Sequence, residues 1–273
     1  MHIHYIKADP SGNTTIFVFD TIAAAQRSIV AAELLRPECI GAEQVAYISV
    51  PEKREEPIRI DMMGGEFCGN ASRSAAAYVL MQDQQEWGNY LVSCSGCDTV
   101  LAAHARRRGE GIFDAFIAMP LPEAVEAVII EVDGLPSRFF RVALPGIVHF
   151  VHMVTGIDRI DKEVFWKAVC SYAADEALAA FGLILFDPSQ LKMIPAVYVT
   201  ATDTLYWEQS CGSGSAAVAA ALACMGKKNV SCRIRQPGGV IEITASWAAD
   251  GLKSIYIGGP VTFNVPGDIW LDI

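Results

Sequence analysis

Two cysteines stand at matching places in the chain. Cys68-Gly69-Asn70-Ala71-Ser72 and Cys211-Gly212-Ser213-Gly214-Ser215 each open with Cys-Gly, pass through small polar residues and run into an alanine-rich stretch. A thiol titrates near pH ~8.5 when free, and a helix N-terminus lowers that value and makes the thiolate available. Two groups of one type suit a reaction that takes a proton from one face of a carbon α to a carboxylate and returns one to the other face. Base and acid then simply exchange places when the reaction reverses. The N–H groups of Gly69-Asn70 and Gly212-Ser213 would bind the carboxylate and the charge that develops on it as the proton leaves. Such chemistry needs no pyridoxal or other cofactor, and it needs water excluded, which predicts closure of two domains on a small amino acid.

The alanine-rich runs predict two buried helices, since alanine is the best helix former and allows close approach on all sides. Asn70, Ser72 and Ser213 are read as the polar residues of their N-terminal turns. Downstream, Val92-Ser93-Cys94-Ser95-Gly96 and Arg233-Ile234-Arg235-Gln236-Pro237-Gly238-Gly239 each read as strand, turn and strand, and Gly96 follows Cys68 by the same interval as Gly239 follows Cys211. Upstream, the segment from Tyr5 through Gly12 to Val18 pairs in pattern with that from Phe139 through Gly146 to Val151. The expected fold is α+β, with two pseudo-symmetric domains, each a curved sheet or barrel around one central helix. The first spans 1–118, with 265–273 as its candidate returning strand, and the second spans 119–264. The boundary falls at Met119-Pro120-Leu121-Pro122. If the domains face each other, the two Cys-Gly helix starts meet across one cleft.

Composition narrows the alternatives. A net charge of −10 argues against nucleic acid, because neutralising phosphates takes clustered Lys and Arg. Arg106-Arg107-Arg108 runs into Gly109-Glu110-Gly111 and reads as a solvated turn. The N-terminus enters a strand pattern directly, so the expectation is a cytoplasmic protein. No run approaches the ~20 apolar residues of a membrane span. The 8 cysteines are read as reduced thiols. Cys94-Ser95-Gly96-Cys97 raises a thiol oxidoreductase or metal protein as a rival, but neither Cys170 nor Cys224 with Cys232 supplies a second ligand pair, and no metal site is expected. The histidines, His2, His4, His104, His149 and His152, show no helical metal spacing. A non-catalytic binding protein is the other rival, and loss of one thiol would be its signature.

Taken together, the paired motifs resemble the diaminopimelate epimerase-like superfamily of pyridoxal-independent racemases and epimerases, over nearly the whole chain. The resemblance implies Cys68 and Cys211 as catalytic residues. Ser11-Gly12-Asn13 is similar to the superfamily's N-terminal Gly-Asn, and Glu43-Gln44-Val45 to its Asp-Gln. His149 and Glu208 fall where the family places polar residues beside the cysteines. Asn13, Glu43, Gln44, Gly69, Asn70, His149, Glu208, Gly212 and Ser213 are therefore the implied substrate-binding set. The chain departs from diaminopimelate epimerases at Met62-Met63-Gly64-Gly65-Glu66, Gly146-Ile147-Val148-His149 and Trp207-Glu208-Gln209-Ser210, and has no Arg between Arg159 and Arg233 to hold a distal carboxylate. Diaminopimelate or another amino acid is the alternative substrate. Gly64-Gly65-Glu66-Phe67-Cys68-Gly69-Asn70 and Trp207 to Gly214 resemble the histidine racemases that supply D-histidine for opine metallophores. The implied activity is interconversion of L- and D-histidine, with Glu43 or Glu208 accepting an imidazole N–H and Trp207, Phe67 or Met63 packing on the ring. A homodimer is left open.

Overall fold

The computed structural model describes residues 1–51, 56–174, 176–200 and 203–273. They form two compact units, Met1–Ala118 with Gly258–Ile273, and Met119–Ile257.

In the first unit the sheet starts from β1 (His2–Asp9), which pairs antiparallel with β2 (Thr15–Val18). The chain then passes through α1 (Ala24–Leu35) to β3 (Gln44–Ser49), parallel to β2. β4 (Ile58–Met62) turns back antiparallel to β3, and α2 (Gly69–Gln82) carries the chain over to β5 (Trp87–Cys94), parallel to β4. β6 (Leu101–Gly109) and β7 (Ile112–Met119) extend the sheet antiparallel. Alternation decides which face looks inward. Leu101, Ala103 and Ala105 of β6 are buried, whereas Ala102, His104 and Arg106 are exposed. Arg106–Arg108 thus belong to the end of a strand, with the turn just beyond them.

The second unit repeats that order. β8 (Ala124–Val132) and β9 (Leu135–Leu144) form a hairpin, and β9 pairs antiparallel with β10 (Ile147–Met153). α3 (Lys162–Ala173) leads to β11 (Ala180–Asp187), parallel to β10. β12 (Lys192–Val199) returns antiparallel, followed by β13 (Thr204–Trp207). α4 (Gly212–Gly226) then crosses to β14 (Val230–Gln236), which pairs parallel with β12 and antiparallel with β15 (Gly239–Ala248). The succession antiparallel, parallel, antiparallel, parallel, antiparallel is therefore common to both units, with a helix at each parallel crossover.

The central helices explain the alanine runs. Every residue from Gly69 through Ala77 is buried, and so is every residue from Gly214 through Ala221. α2 packs on β4, β5 and β6, and α4 touches β8, β9, β10, β11, β14 and β15. A helix enclosed on all sides cannot be amphipathic, so small side chains replace the usual apolar stripe. The fold is α+β, with a curved, strand-rich sheet about a central helix in each half.

One boundary differs from the sequence reading. Residues 258–264 cluster with the first unit. They end the 13-residue strand β16 (Gly251–Phe263), whose last residues pair with β1 at Ala8↔Phe263 and Asp9↔Thr262, so the crossing lies inside a strand with no turn to mark it. β17 (Gly267–Trp270) lies antiparallel to β1. Among the described residues no helix is long and apolar enough to cross a membrane.

Candidate active site

Both cysteines are themselves the N-caps of their helices. Cys68 and Cys211 have extended backbone, and their sulfurs accept from Ala71 N at 3.4 Å and Gly214 N at 3.2 Å. Asn70, Ser72 and Ser213 lie in the first turns, where the sequence reading has them, and the N-cap position itself is taken by the cysteines. Inside the helices, Ser72 Oγ bonds back to Cys68 O at 2.8 Å and Ser215 Oγ to Cys211 O at 2.6 Å. The N–H groups of Gly69, Asn70, Gly212 and Ser213 precede the first intrahelical hydrogen bonds, which are Ser72 N to Cys68 O and Ser215 N to Cys211 O.

In the first unit the loop after β1 and the start of β3 bring polar groups to Cys68. Gln44 Nε2 donates to Cys68 Sγ at 3.2 Å, to Asn13 Oδ1 at 3.0 Å and to Thr15 Oγ1 at 2.8 Å. Asn13 Oδ1 also accepts from Asn70 Nδ2 at 3.3 Å, and Asn13 Nδ2 donates to Glu43 Oε2 at 2.8 Å. Partial burial raises the Glu43 pKa, against the lowering effect of Asn13. Asn13, Glu43, Gln44 and Asn70 thus form one network at Cys68. Parallel pairing of β2 with β3 sets Thr15 opposite Gln44 and so closes it.

In the second unit Cys211 has different neighbours. Its thiol hydrogen-bonds the Glu208 carboxylate, and Ser213 Oγ lies 3.6 Å from its sulfur. Ser213 Oγ is in turn 2.9 Å from His149 Nε2. His149 is fully buried in β10, and its Nδ1 has no hydrogen-bond partner among the described residues. Burial drives its pKa down to about 3, so the ring is neutral. The glycine opposite makes room for it, since a Cβ at Gly182 would lie 2.5 Å from His149 Nδ1 and 2.7 Å from Ala196 O.

Burial also decides the resting state of the thiols. It pushes Cys68 up to about 12 and Cys211 well above its ordinary value, outweighing the helix N–H donors in both cases. The expectation that a helix start alone makes a thiolate available is corrected, because desolvation of an anion exceeds what one or two amide contacts return. Trp207 lies under Lys162 Nζ at 3.9 Å and edge-on to Trp166, so α3 engages it, and Met63 packs into the core beside α1.

Several supporting residues were not singled out from sequence. Arg73 is fully buried and donates from Nε to Asn70 Oδ1 at 3.1 Å, from Nη1 to Gly259 O and Pro260 O, and from Nη2 to Pro10 O. It holds Asn70 in the Cys68 network. An arginine within an alanine-rich helix was the available signal. Gln236 receives Cys211 N at 2.7 Å and donates to Ser215 Oγ at 2.9 Å. Among the described residues no group of three or more His, Cys, Asp or Glu is arranged to hold a metal ion.

Residues 2–270 match the family described as the histidine racemase CntK N-terminal domain. The chain belongs to that family. A histidine racemase of Fusobacterium nucleatum subsp. nucleatum is 32% identical over 98% of this chain and 97% of its own. A diaminopimelate epimerase of Xanthomonas euvesicatoria pv. vesicatoria is 24% identical over 84% of this chain and 82% of its own. In fold, the crystal structure of a hydroxyproline epimerase from Agrobacterium vitis with bound trans-4-hydroxy-L-proline matches with a TM-score of 0.68 at 13% identity, covering 100% of this chain and 93% of that one. This member of the histidine racemase family is accordingly an isomerase of the racemase and epimerase kind, acting on an amino acid. The resemblance drawn from the two Cys-Gly motifs holds along the whole chain.

Proposed function

We propose that the chain interconverts L- and D-histidine by a two-base mechanism in which Cys68 and Cys211 carry the proton. The observation that carries this reading is the matched placement of the two sulfurs, each the N-cap of a buried helix and each at the start of a Cys-Gly motif. Histidine as the substrate is favoured by the 32% identity to a relative named histidine racemase.

In this reading the substrate carboxylate is held by the N–H groups of Gly69-Asn70 and Gly212-Ser213, which also take up the charge that grows as the α-carbon loses its proton. One sulfur, as thiolate, forms an S–H bond as the α C–H bond breaks. The other thiol gives its proton to the opposite face, leaving the pair with exchanged protonation. Because burial raises both thiols, the thiolate is produced with the substrate bound, where the α-ammonium supplies the compensating charge. Gln44, a donor to Cys68, stabilises the anion on that side, with Asn13 and Asn70 orienting the Gln44 amide. Glu208 accepts a hydrogen bond from the Cys211 thiol and so keeps its proton in place until it is given to the α-carbon, and Ser213, backed by His149, donates to the sulfur once it is ionised. Glu43, raised by burial and accessible, is the group to receive an imidazole N–H.

The test is α-proton exchange in D₂O, followed by NMR, across L- and D-amino acids. Deuterium should enter both enantiomers of histidine. Retention of the α-proton in histidine while another amino acid exchanges would overturn the substrate, and parent-rate racemisation by both Cys68→Ser and Cys211→Ser would overturn the mechanism.

A further inference from the structure

The turn Cys94-Ser95-Gly96-Cys97 is the cysteine-bearing motif that the reaction leaves unused. It packs on the approach to Cys68. Ser95 Oγ accepts from Met62 N at 2.8 Å and donates to Glu66 O at 2.9 Å. Gly96 has φ +69, and a Cβ there would lie 2.4 Å from Phe67 N. The Cys94 thiol is fully buried and takes a hydrogen-bonding contact from the backbone N–H of Cys68; the hydroxyls of Ser72 and Ser95, whose protons go to Cys68 O and Glu66 O, lie beside its sulfur.

The second unit contains the same construction with other atoms. Gln236, at the end of β14 as Cys94 is at the end of β5, accepts from Cys211 N and donates to Ser215 Oγ. Ser215 and Ser72 each bond back to the carbonyl of their own cysteine. Gly238 N donates to Gln209 O, two residues before Cys211, just as Ser95 holds Glu66 O, two residues before Cys68. An N-cap N–H lies outside the helix ladder and, when buried, needs an acceptor from elsewhere. In one half that acceptor is an amide oxygen and in the other a sulfur.

We propose that Cys94 is a positioning residue for Cys68, holding the backbone N–H of Cys68 beside the Ser72 hydroxyl as Gln236 holds that of Cys211 beside the Ser215 hydroxyl. The proposal rests on the reading of Cys68 as a proton-transferring group. Sulfur is the weaker acceptor, so the Cys68 cap is held more softly than the Cys211 cap, and a change at position 94 acts on one thiol of the pair. Burial keeps Cys94 itself a neutral thiol.

The experiment uses the full chain with Cys94→Ala, Cys94→Val, which fills the space but accepts no hydrogen bond, and Cys94→Ser, which restores an acceptor. Three quantities are read in each: deuterium exchange of L- and D-histidine, thermal unfolding, and the pH dependence of iodoacetamide labelling at Cys68 and at Cys211, resolved by peptide mass spectrometry. Cys94→Ala and Cys94→Val should lose about tenfold in kcat with KM little changed, as for one lost hydrogen bond at a group that changes charge. Labelling of Cys68 should move to higher pH while that of Cys211 stays in place, and Cys94→Ser should recover most of both. Should Cys94→Ala not fold, Cys94→Val carries the test. An unchanged Cys68 profile overturns the proposal, and so does an equal shift at both cysteines, which marks general loosening. Labelling needs no turnover, so this result stays separate from failure of the two-base reading, which Cys68→Ser reports.

Discussion

Gln44 Nε2 lies 3.2 Å from Cys68 Sγ, and an amide nitrogen can only donate. That contact favours the thiolate over the thiol. Gln44→Leu keeps the side-chain volume and removes the donor, so kcat should fall by about tenfold to a hundredfold, the range for a hydrogen bond to a charged group. The limb of the pH–rate profile governed by Cys68 should move to higher pH. Exchange rates measured across that profile check both.

Gly182 and His149 face each other across the parallel pair β10–β11, with no room between them for a side chain. Gly182→Ala would push the ring from Ser213 or the backbone from Ala196. Both the melting temperature and the exchange rate should drop, with a cost of about 1–3 kcal/mol for overpacking a core. An alanine variant as stable and as active as the parent would show that the ring's position does not matter.

His149 also sets a pH dependence. Its folded pKa is lowered by burial to about 3, whereas an unfolded histidine binds a proton below pH ~6.5. The unfolded chain therefore binds more protons as pH drops, and stability should decline from about pH 6.5 downward until pH nears 3. His149→Phe should flatten that decline in urea titrations. The same neutrality means that no activity limb between pH 5 and 8 should vanish with the His149 change.

Asp187 acts at lower pH. Its carboxylate receives Ser189 Oγ at 2.6 Å, Ser189 N at 2.9 Å and Gly156 N at 2.8 Å, and these contacts, Ser189 first, hold its pKa down at about 2. Its stabilising effect is complete above the unfolded value of ~3.9 and is lost as pH falls from there towards 2. Asp187→Asn should lower the melting temperature at neutral pH and shrink the difference from the parent in that acid window. Scanning calorimetry at pH 7 and at pH 3 separates the two.

The pairing of Cys68 with Cys211 was legible because a repeated motif and two alanine runs are local properties, written in consecutive residues. The strand at the N-terminus and the family itself were legible for the same reason. Burial, however, is collective. Nothing in the residues around Cys68 states that desolvation outweighs the helix N–H groups, or that Arg73 is enclosed with its guanidinium spread over carbonyls of Pro10, Gly259 and Pro260. Only the parallel crossovers β4–β5 and β12–β14 bring a strand end beside a helix start, and only they make Cys94 the counterpart of Gln236. The amino-acid sequence by itself determined that two thiols stand at matching Cys-Gly helix starts. The tertiary structure decided which neighbours hold them and how costly their charge is, because both depend on groups that meet across long intervals of chain and on the water excluded when they meet.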